Sequence, residues 1–225
     1  MLNPTSKSSP VAQSEDMPDP ITHWDGVYSA KRAEEVSWHQ AEPTLSLKLI
    51  RHTGVARTAA VVDVGGGAST LVDHLLRDGF TDVTVLDIAA SGLEQARARL
   101  GKSAERAGWI AADVTAWCPP KRFRLWHDRA VLHFLTEPDH QAAYARTLRA
   151  ALEGDGWAII AGFAPGGPAK CSGLPIIQHD GESLQRLLGD EFDLMETHSE
   201  THVTPRAAEQ AFRYHLFRRS ARGAA

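Results

Sequence analysis

The chain has 225 residues, of which 43% are hydrophobic and 23% charged, and a formal net charge of −4, enough to bury a substantial core in one compact domain. The net negative charge gives no general pull towards nucleic acid, and no apolar run approaches the roughly 20 residues of a membrane span. Two cysteines, Cys118 and Cys171, argue against a disulfide framework and suit a reducing, cytoplasmic compartment.

Residues 1–20 contain four prolines and four serines and no hydrophobic h-region, so they are expected to form a disordered lead rather than a signal peptide. Residues 21–58 precede the first strand and are expected to be a helical cover, in which Trp24, Tyr28 and Trp38 stand out; residues 59–225 hold the main domain. Its first strand, 59–64, is apolar and β-branched like a strand buried on both faces of a parallel sheet, apart from Asp63. Gly65, Gly66 and Gly67 then turn the chain into a helix expected over 69–77, whose Leu71, Val72, Leu75 and Leu76 form one apolar face. Glycine permits positive φ and close approach of a ligand to the backbone, and the first N–H groups of a helix are free to meet that ligand.

A second strand, 83–86, ends in Asp87, 24 residues beyond Asp63. A βαβ nucleotide-binding unit places there the carboxylate that takes the ribose hydroxyls. A helix over 91–100 buries Leu93, Ala96 and Leu100, and a third strand, 109–112, ends in Asp113, placed to meet an adenine amino group. A strand over 123–127 and a helix over 137–152, bounded by Pro138 and Gly154, come next. A strand over 156–163, a short helix over 180–188 and a closing hairpin of 191–201 and 210–218 complete the order. This alternation predicts an α/β fold: a Rossmann-like, seven-stranded, mostly parallel sheet with helices on both faces and an antiparallel last strand. Its ligand belongs beyond the carboxyl ends of the strands, where the strand order reverses. The sequence shows no internal repeat.

Three strand-associated acids narrow the ligand further than the glycines, which nicotinamide and flavin proteins share. A dehydrogenase fingerprint wants Gly or Ala at position 70, where this chain has Thr70, and has no need of an acid inside the first strand. Asp63 suits a ligand with a positive amino group, and the methionine end of S-adenosylmethionine carries one. On these residues the chain resembles the class I S-adenosylmethionine-dependent methyltransferases over roughly 23–219. The acid-x-Gly-x-Gly motif of that family matches Asp63, Gly65 and Gly67, and its third glycine falls at Ser69. A nearer resemblance is to the group that includes the elongation-factor and citrate-synthase lysine methyltransferases. It is carried by Trp24-Asp25-Gly26-Val27-Tyr28, by Ser37-Trp38 and by Asp128-Arg129 after the fourth strand, where that group usually has Asp-Lys-Gly. The resemblance implies S-adenosylmethionine as cofactor, held by Trp24, Tyr28, Asp63, Gly65, Gly66, Gly67, Asp87, Ile88, Asp113 and Val114, and puts a protein lysine among the acceptors.

Methyl transfer from a sulfonium is an in-line displacement that needs alignment, exclusion of water and, where necessary, removal of a proton. Candidates for the last task cluster at His127, Asp128, Arg129 and His133, and strand alternation puts His127 and Arg129 on one side and Asp128 on the other. Asp128 is expected to contact the acceptor or the methionine end; His133 is either a base or a satisfied core histidine. Trp24, Tyr28 and Trp38 either attract the sulfonium, by ~0.5 to 2 kcal/mol, or pack the cover onto the sheet. The loop 164–175 is long for a connection in such a domain and is expected to wall the acceptor pocket, with Cys171 lining it or serving structure rather than acting as a nucleophile. His198 and His202 lack a third ligand at a sensible spacing, so no metal is expected and both read as strand-surface residues. Arg213, Arg218, Arg219 and Arg222 read as a solvated strand and terminus. Three readings follow: transfer to a protein lysine, which needs an open channel; transfer to a small nucleophile such as a thiol or other metabolite, closed in by loop 164–175; and a non-catalytic S-adenosylmethionine-binding protein. No nucleic-acid or membrane partner is expected, and the sequence does not speak to oligomeric state.

Overall fold

The computed structural model describes residues 19–221. The lead expected over 1–20 lies outside the described residues up to residue 18, and its last two residues start the first helix instead. Asp19 caps α1 (Pro20–Ala30) by accepting the Thr22 amide at 2.9 Å, with Pro20 in the first turn, where its missing N–H costs nothing. A short 3₁₀ turn and α2 (Thr44–His52) complete the cover.

The core follows as β1 (Val61–Val64), α3 (Leu71–Arg77), β2 (Val83–Asp87), α4 (Ala90–Leu100), β3 (Ala107–Ala111), β4 (Phe123–Arg129), α5 (Pro138–Ala151), β5 (Leu152–Phe163), β6 (Lys170–Cys171), β7 (Leu174–Pro175), α6 (Gly181–Leu188), β8 (Phe192–Val203) and β9 (Glu209–Arg219). Seven of these strands form one sheet in the order β3-β2-β1-β4-β5-β9-β8. Neighbours from β3 to β5 are parallel, and β9 runs antiparallel to both β5 and β8. This is the Rossmann-like α/β arrangement that the alternation of elements predicts. The β6–β7 hairpin inside the loop after β5 is an addition that its Gly- and Pro-rich composition does not announce.

Alternation along the strands sorts the core into two layers. Val61 and Leu125 face the layer of α2 and α3, where Leu47, Ile50, Leu71 and Leu75 pack. Val62 and Trp126 face the layer of α5 and α6, with Tyr144, Leu148, Leu184 and Leu188. Each large apolar side chain buried in this way contributes about 1.5–3 kcal/mol relative to leaving it exposed. The chain leaves β1 towards β2 and β3, then returns to place β4 on the other side of β1. That reversal opens a crevice at the carboxyl ends of β1 and β4.

Candidate active site

Two adjoining cavities occupy this crevice. A small one of about 40 Å³ is lined by Asp63, Gly66, His127 and Ser46. A larger one of about 390 Å³ lies between Asp87, Ile88, Asp113 and Val114 on one side and an aromatic wall on the other. Gly65 and Arg129 border both.

The glycine turn exists because no side chain fits there. Gly65 has φ +67°, and a Cβ on it would lie 1.9 Å from Val131 Cγ2; Gly67 has φ +39°, and its Cβ would lie 2.5 Å from the Tyr28 hydroxyl. The amides of Gly65 and Gly66 donate to the Leu86 carbonyl at 2.7 and 3.2 Å, so they hold the turn against β2 rather than facing a ligand. The next helix starts at Leu71, two residues later than expected, because Ser69 Oγ accepts the Leu71 amide at 3.1 Å and Ser69 itself remains in the turn. Arg99 of α4 fixes the far end of the turn, donating to the Ala68 and Ser69 carbonyls at 2.8 and 2.7 Å while pairing with Asp73. Nothing in the sequence singles Arg99 out among the arginines of its helix.

The Trp-Asp-x-x-Tyr segment of α1 has a separate task for each of its three residues. Trp24 and Tyr28, one turn apart, face the larger cavity. Asp25 accepts the Ser91 amide at 3.0 Å and its hydroxyl at 2.6 Å, which ties α1 to the start of α4. The Tyr28 ring packs so close to Gly92 that a Cβ there would meet it at 2.9 Å. Trp24 also stacks edge-to-face on Trp38 and Phe134, with centroids 5.7 and 4.9 Å away, so these aromatics both pack the cover and wall the cavity.

Asp63 and His127 are register partners on adjacent strands, which brings their side chains together. Asp63 Oδ1 lies 2.7 Å from His127 Nδ1, and His127 Nε2 lies 2.9 Å from Ser46 Oγ of the cover. Asp63 Oδ2 is buried and has no hydrogen-bond partner among the described residues. Asp87 is also buried; one oxygen accepts the Ala89 amide at 2.8 Å, and burial, reinforced by the Asp63 charge, raises its carboxyl from 3.8 to about 7. Asp113 is exposed and turns one oxygen back to Thr115, accepting its amide and hydroxyl at 2.8 Å.

The end of β4 corrects two expectations. Asp128 does face away from His127 and Arg129, but it borders neither cavity: its carboxylate accepts the Val131 and Leu132 amides at 2.8 and 3.1 Å and the Tyr144 hydroxyl at 2.6 Å. It pins the turn after β4 onto α5, with its acceptor capacity taken up by those donors. His133 sits behind the cavity wall, against Phe134 and Phe163, and burial pushes its imidazole down to about 3, which leaves it a weak base. His202 departs from the strand-surface reading as well: it is buried, and its Nε2 meets the Ser37 carbonyl at 2.7 Å, holding the Ser37-Trp38 segment in place. His198 pairs with Glu196. No group of His, Cys, Asp or Glu able to hold a metal is present among the described residues.

The far wall of the larger cavity is Trp38, Phe163, Phe212, Cys171, Leu174 and Pro175, with the β6–β7 hairpin above it. Arg129 closes its floor. Its guanidinium lies 4.1 Å over the Phe212 ring, donates from Nε to the Tyr214 hydroxyl at 2.9 Å, and donates from Nη1 to the Trp38 carbonyl at 3.2 Å. Phe212 and Phe163 escape a motif-based reading because they are ordinary apolar strand residues that reach the site only through strand order.

Residues 61–156 match a family model described as a methyltransferase domain. The chain carries a methyltransferase domain of the S-adenosylmethionine-dependent kind. No curated protein is similar to it in sequence. Among solved structures, one reported for the conversion of a disulfide bond into a thioacetal group during echinomycin biosynthesis superposes with a TM-score of 0.73 at 18% identity, covering 91% of this chain and 93% of that one. The 1,6-didemethyltoxoflavin-N1-methyltransferase of Burkholderia thailandensis, with S-adenosylhomocysteine bound, gives a TM-score of 0.63 at 23% identity, covering 88% and 84%. A S-adenosylmethionine-dependent methyltransferase from Anabaena variabilis gives 0.70 at 12% identity, covering 94% and 100%. These likenesses show the shared fold.

The residues present suit this cofactor. The unpartnered Asp63 oxygen is an acceptor for an ammonium beside a turn kept free of side chains, and Asp87, short of donors, is an acceptor for ribose hydroxyls. No helix among the described residues is long and apolar enough to cross a membrane.

Proposed function

We propose that the methyltransferase acts on a small, largely apolar molecule whose methyl-accepting atom is a thiol sulfur. The observation that carries this reading is the acceptor half of the larger cavity. It is walled by aromatic and aliphatic side chains and has a cation at its floor, whereas the titratable Asp19, Glu137 and His140 line the cavity from the starts of α1 and α5 and not from that wall. Bound S-adenosylmethionine supplies an activated methyl on a sulfonium. The chain's own residues then have three tasks. Asp63, with His127 and Ser46 behind it, and Asp87 hold the cofactor; Trp24, Tyr28, Ile88, Asp113 and Val114 complete its surroundings. Trp38, Phe134, Phe163 and Phe212 exclude water and orient the acceptor. A free thiol already carries a few per cent thiolate at neutral pH, far more anion than an alcohol, so the lack of a base in the wall matters less for sulfur. The relative linked to thioacetal formation handles sulfur, and the toxoflavin relative acts on a small heteroaromatic.

A protein lysine is the second reading, favoured by the edge-to-face cluster of Trp24, Trp38 and Phe134, whose rings would suit an ammonium. Cytoplasmic residence is supported by the two unpaired cysteines, one exposed and one buried. Incubating the protein with isotopically labelled S-adenosylmethionine and panels of aryl and alkyl thiols, small amines and lysine-rich protein extract separates the readings. S-methyl products in the thiol panel are expected. Label confined to protein bands would replace the thiol by lysine.

A further inference from the structure

We propose that Arg129 is the residue that makes the acceptor reactive: its guanidinium, at the floor of the aromatic cavity, holds the acceptor sulfur as a thiolate. This inference rests on the thiol reading above. The Arg129 side chain is nine-tenths buried, and its Nη2 has no hydrogen-bond partner among the described residues. Glu200 Oε2 lies 3.7 Å away, beyond hydrogen-bond reach. Both Glu200 oxygens are engaged elsewhere, with Gln40 Nε2 at 3.2 Å from each and the Tyr214 hydroxyl donating to Oε2 at 3.0 Å. A buried cation with an unused donor costs free energy unless an anion or acceptor comes to meet it. The remaining Arg129 contacts, to Phe212, Tyr214 and the Trp38 carbonyl, hold the group against the acceptor wall.

The titratable and charged groups facing Arg129 are Glu200 and His202 from β8, Tyr214 from β9, His133 after β4, Cys171 from β6, and the Asp63–His127 pair beside it. None is placed to supply the missing hydrogen bond to Nη2. Burial pushes the Cys171 thiol up to about 11, and the Arg129 charge acts on it in the opposite direction, so this charge does reach the sulfur position in the cavity wall. An acceptor thiol entering the cavity comes under the same field in a medium where charges act strongly. Its proton leaves to solvent. The thiolate sulfur then forms a bond to the methyl carbon as the bond from that carbon to the sulfonium sulfur breaks. The electron pair of the broken bond stays on the departing thioether, and the negative and positive charges cancel.

The test uses the full chain with S-adenosylmethionine and thiols of graded acidity, comparing wild type with Arg129→Met and Arg129→Lys. S-methyl product is followed by mass spectrometry from about pH 6 to about pH 9, and S-adenosylhomocysteine affinity by calorimetry. Arg129→Met is expected to lose about 10- to 100-fold in kcat/KM with weakly acidic alkyl thiols and less with acidic aryl thiols, and to shift its rising pH limb to higher pH. Arg129→Lys keeps the charge and should keep the wild-type limb, which preserves the comparison if the methionine variant unfolds; a limb displaced in Arg129→Lys overturns the proposal. A loss of S-adenosylhomocysteine affinity equal to the loss in kcat/KM also overturns it, because Arg129 would then serve the cofactor. So does an equal loss with every thiol. Absence of S-methyl product with the wild type removes the thiol reading and this inference together, whereas product formation with an unmoved pH limb in Arg129→Met removes the inference alone.

Discussion

Replacing Asp87 by asparagine should move binding and stability in different ways, and the size of each follows from where the carboxylate sits. Burial raises this carboxyl from its ordinary 3.8 to about 7. Between those values the native chain keeps a proton that the unfolded chain has lost, so the stability of the ligand-free protein falls as pH rises through that window. At about 1.4 kcal/mol per pH unit the loss approaches 4 kcal/mol by pH 8. Asp87→Asn removes that slope. Part of the gain at high pH is offset, because the neutral amide accepts the Ala89 N–H more weakly than the carboxylate does. The variant should therefore be about as stable as wild type at pH 8, with a flatter pH profile above pH 6; below pH 6 Asp128, which burial raises to about 6, and the buried His133 and His215, which burial lowers to about 3 and about 4, contribute slopes of opposite sign. Cofactor binding should go the other way. Losing hydrogen bonds to a charged acceptor costs about 1.5–3 kcal/mol, or about 10- to 150-fold in Kd. Wild-type binding near pH 6.5 should release protons, since donors from a ligand favour the ionised carboxylate. Urea unfolding across pH and calorimetry of S-adenosylhomocysteine in buffers of differing ionisation enthalpy measure both. An asparagine variant whose stability profile between pH 6 and pH 8 keeps the wild-type slope, or whose Kd is unchanged, would refute the assignment of Asp87 to the cofactor.

Three further outcomes follow from individual contacts. Asp128→Ala strands two backbone amides and the Tyr144 hydroxyl in the core and should cost about 3–5 kcal/mol in urea unfolding; a loss under 1 kcal/mol together with abolished turnover would return Asp128 to the reacting centre. Gly65→Ala drives a methyl into Val131 at a left-handed position and should lower stability by about 2 kcal/mol or more and weaken cofactor binding. Val131→Ala in the same chain should recover part of that loss, and no recovery would place the strain elsewhere. Alkylation at neutral pH should mark the exposed Cys118 and spare Cys171, whose thiol burial holds at about 11; mass spectrometry showing rapid Cys171 labelling would contradict that environment.

What the sequence discloses follows the range of each interaction. The glycine turn, Asp87 at the end of β2 and the mostly parallel sheet with its antiparallel end depend on local pattern and on the chemistry a nucleotide-like ligand requires, so they are legible from spacing and alternation. Asp128 misleads because a carboxylate at a strand end looks the same in sequence whether its oxygens face a cavity or the amides of Val131 and Leu132; the answer depends on α5 delivering Tyr144 to the same spot. Alternation already separates it from Arg129, yet cannot say which layer holds the reaction. That is decided by the cover, which lies on the α2 and α3 layer and brings Ser46 to His127 and the Trp38 carbonyl to Arg129. The acceptor wall is the least legible part because it is assembled from α1, the turn after β4, the end of β5, the β6–β7 hairpin and β9. Each contributes an aromatic or aliphatic residue that any core would use. The cation among them is the informative one: a buried arginine next to apolar rings has no structural need of a free donor, so the chemistry of whatever meets that donor is where the identity of the acceptor is written.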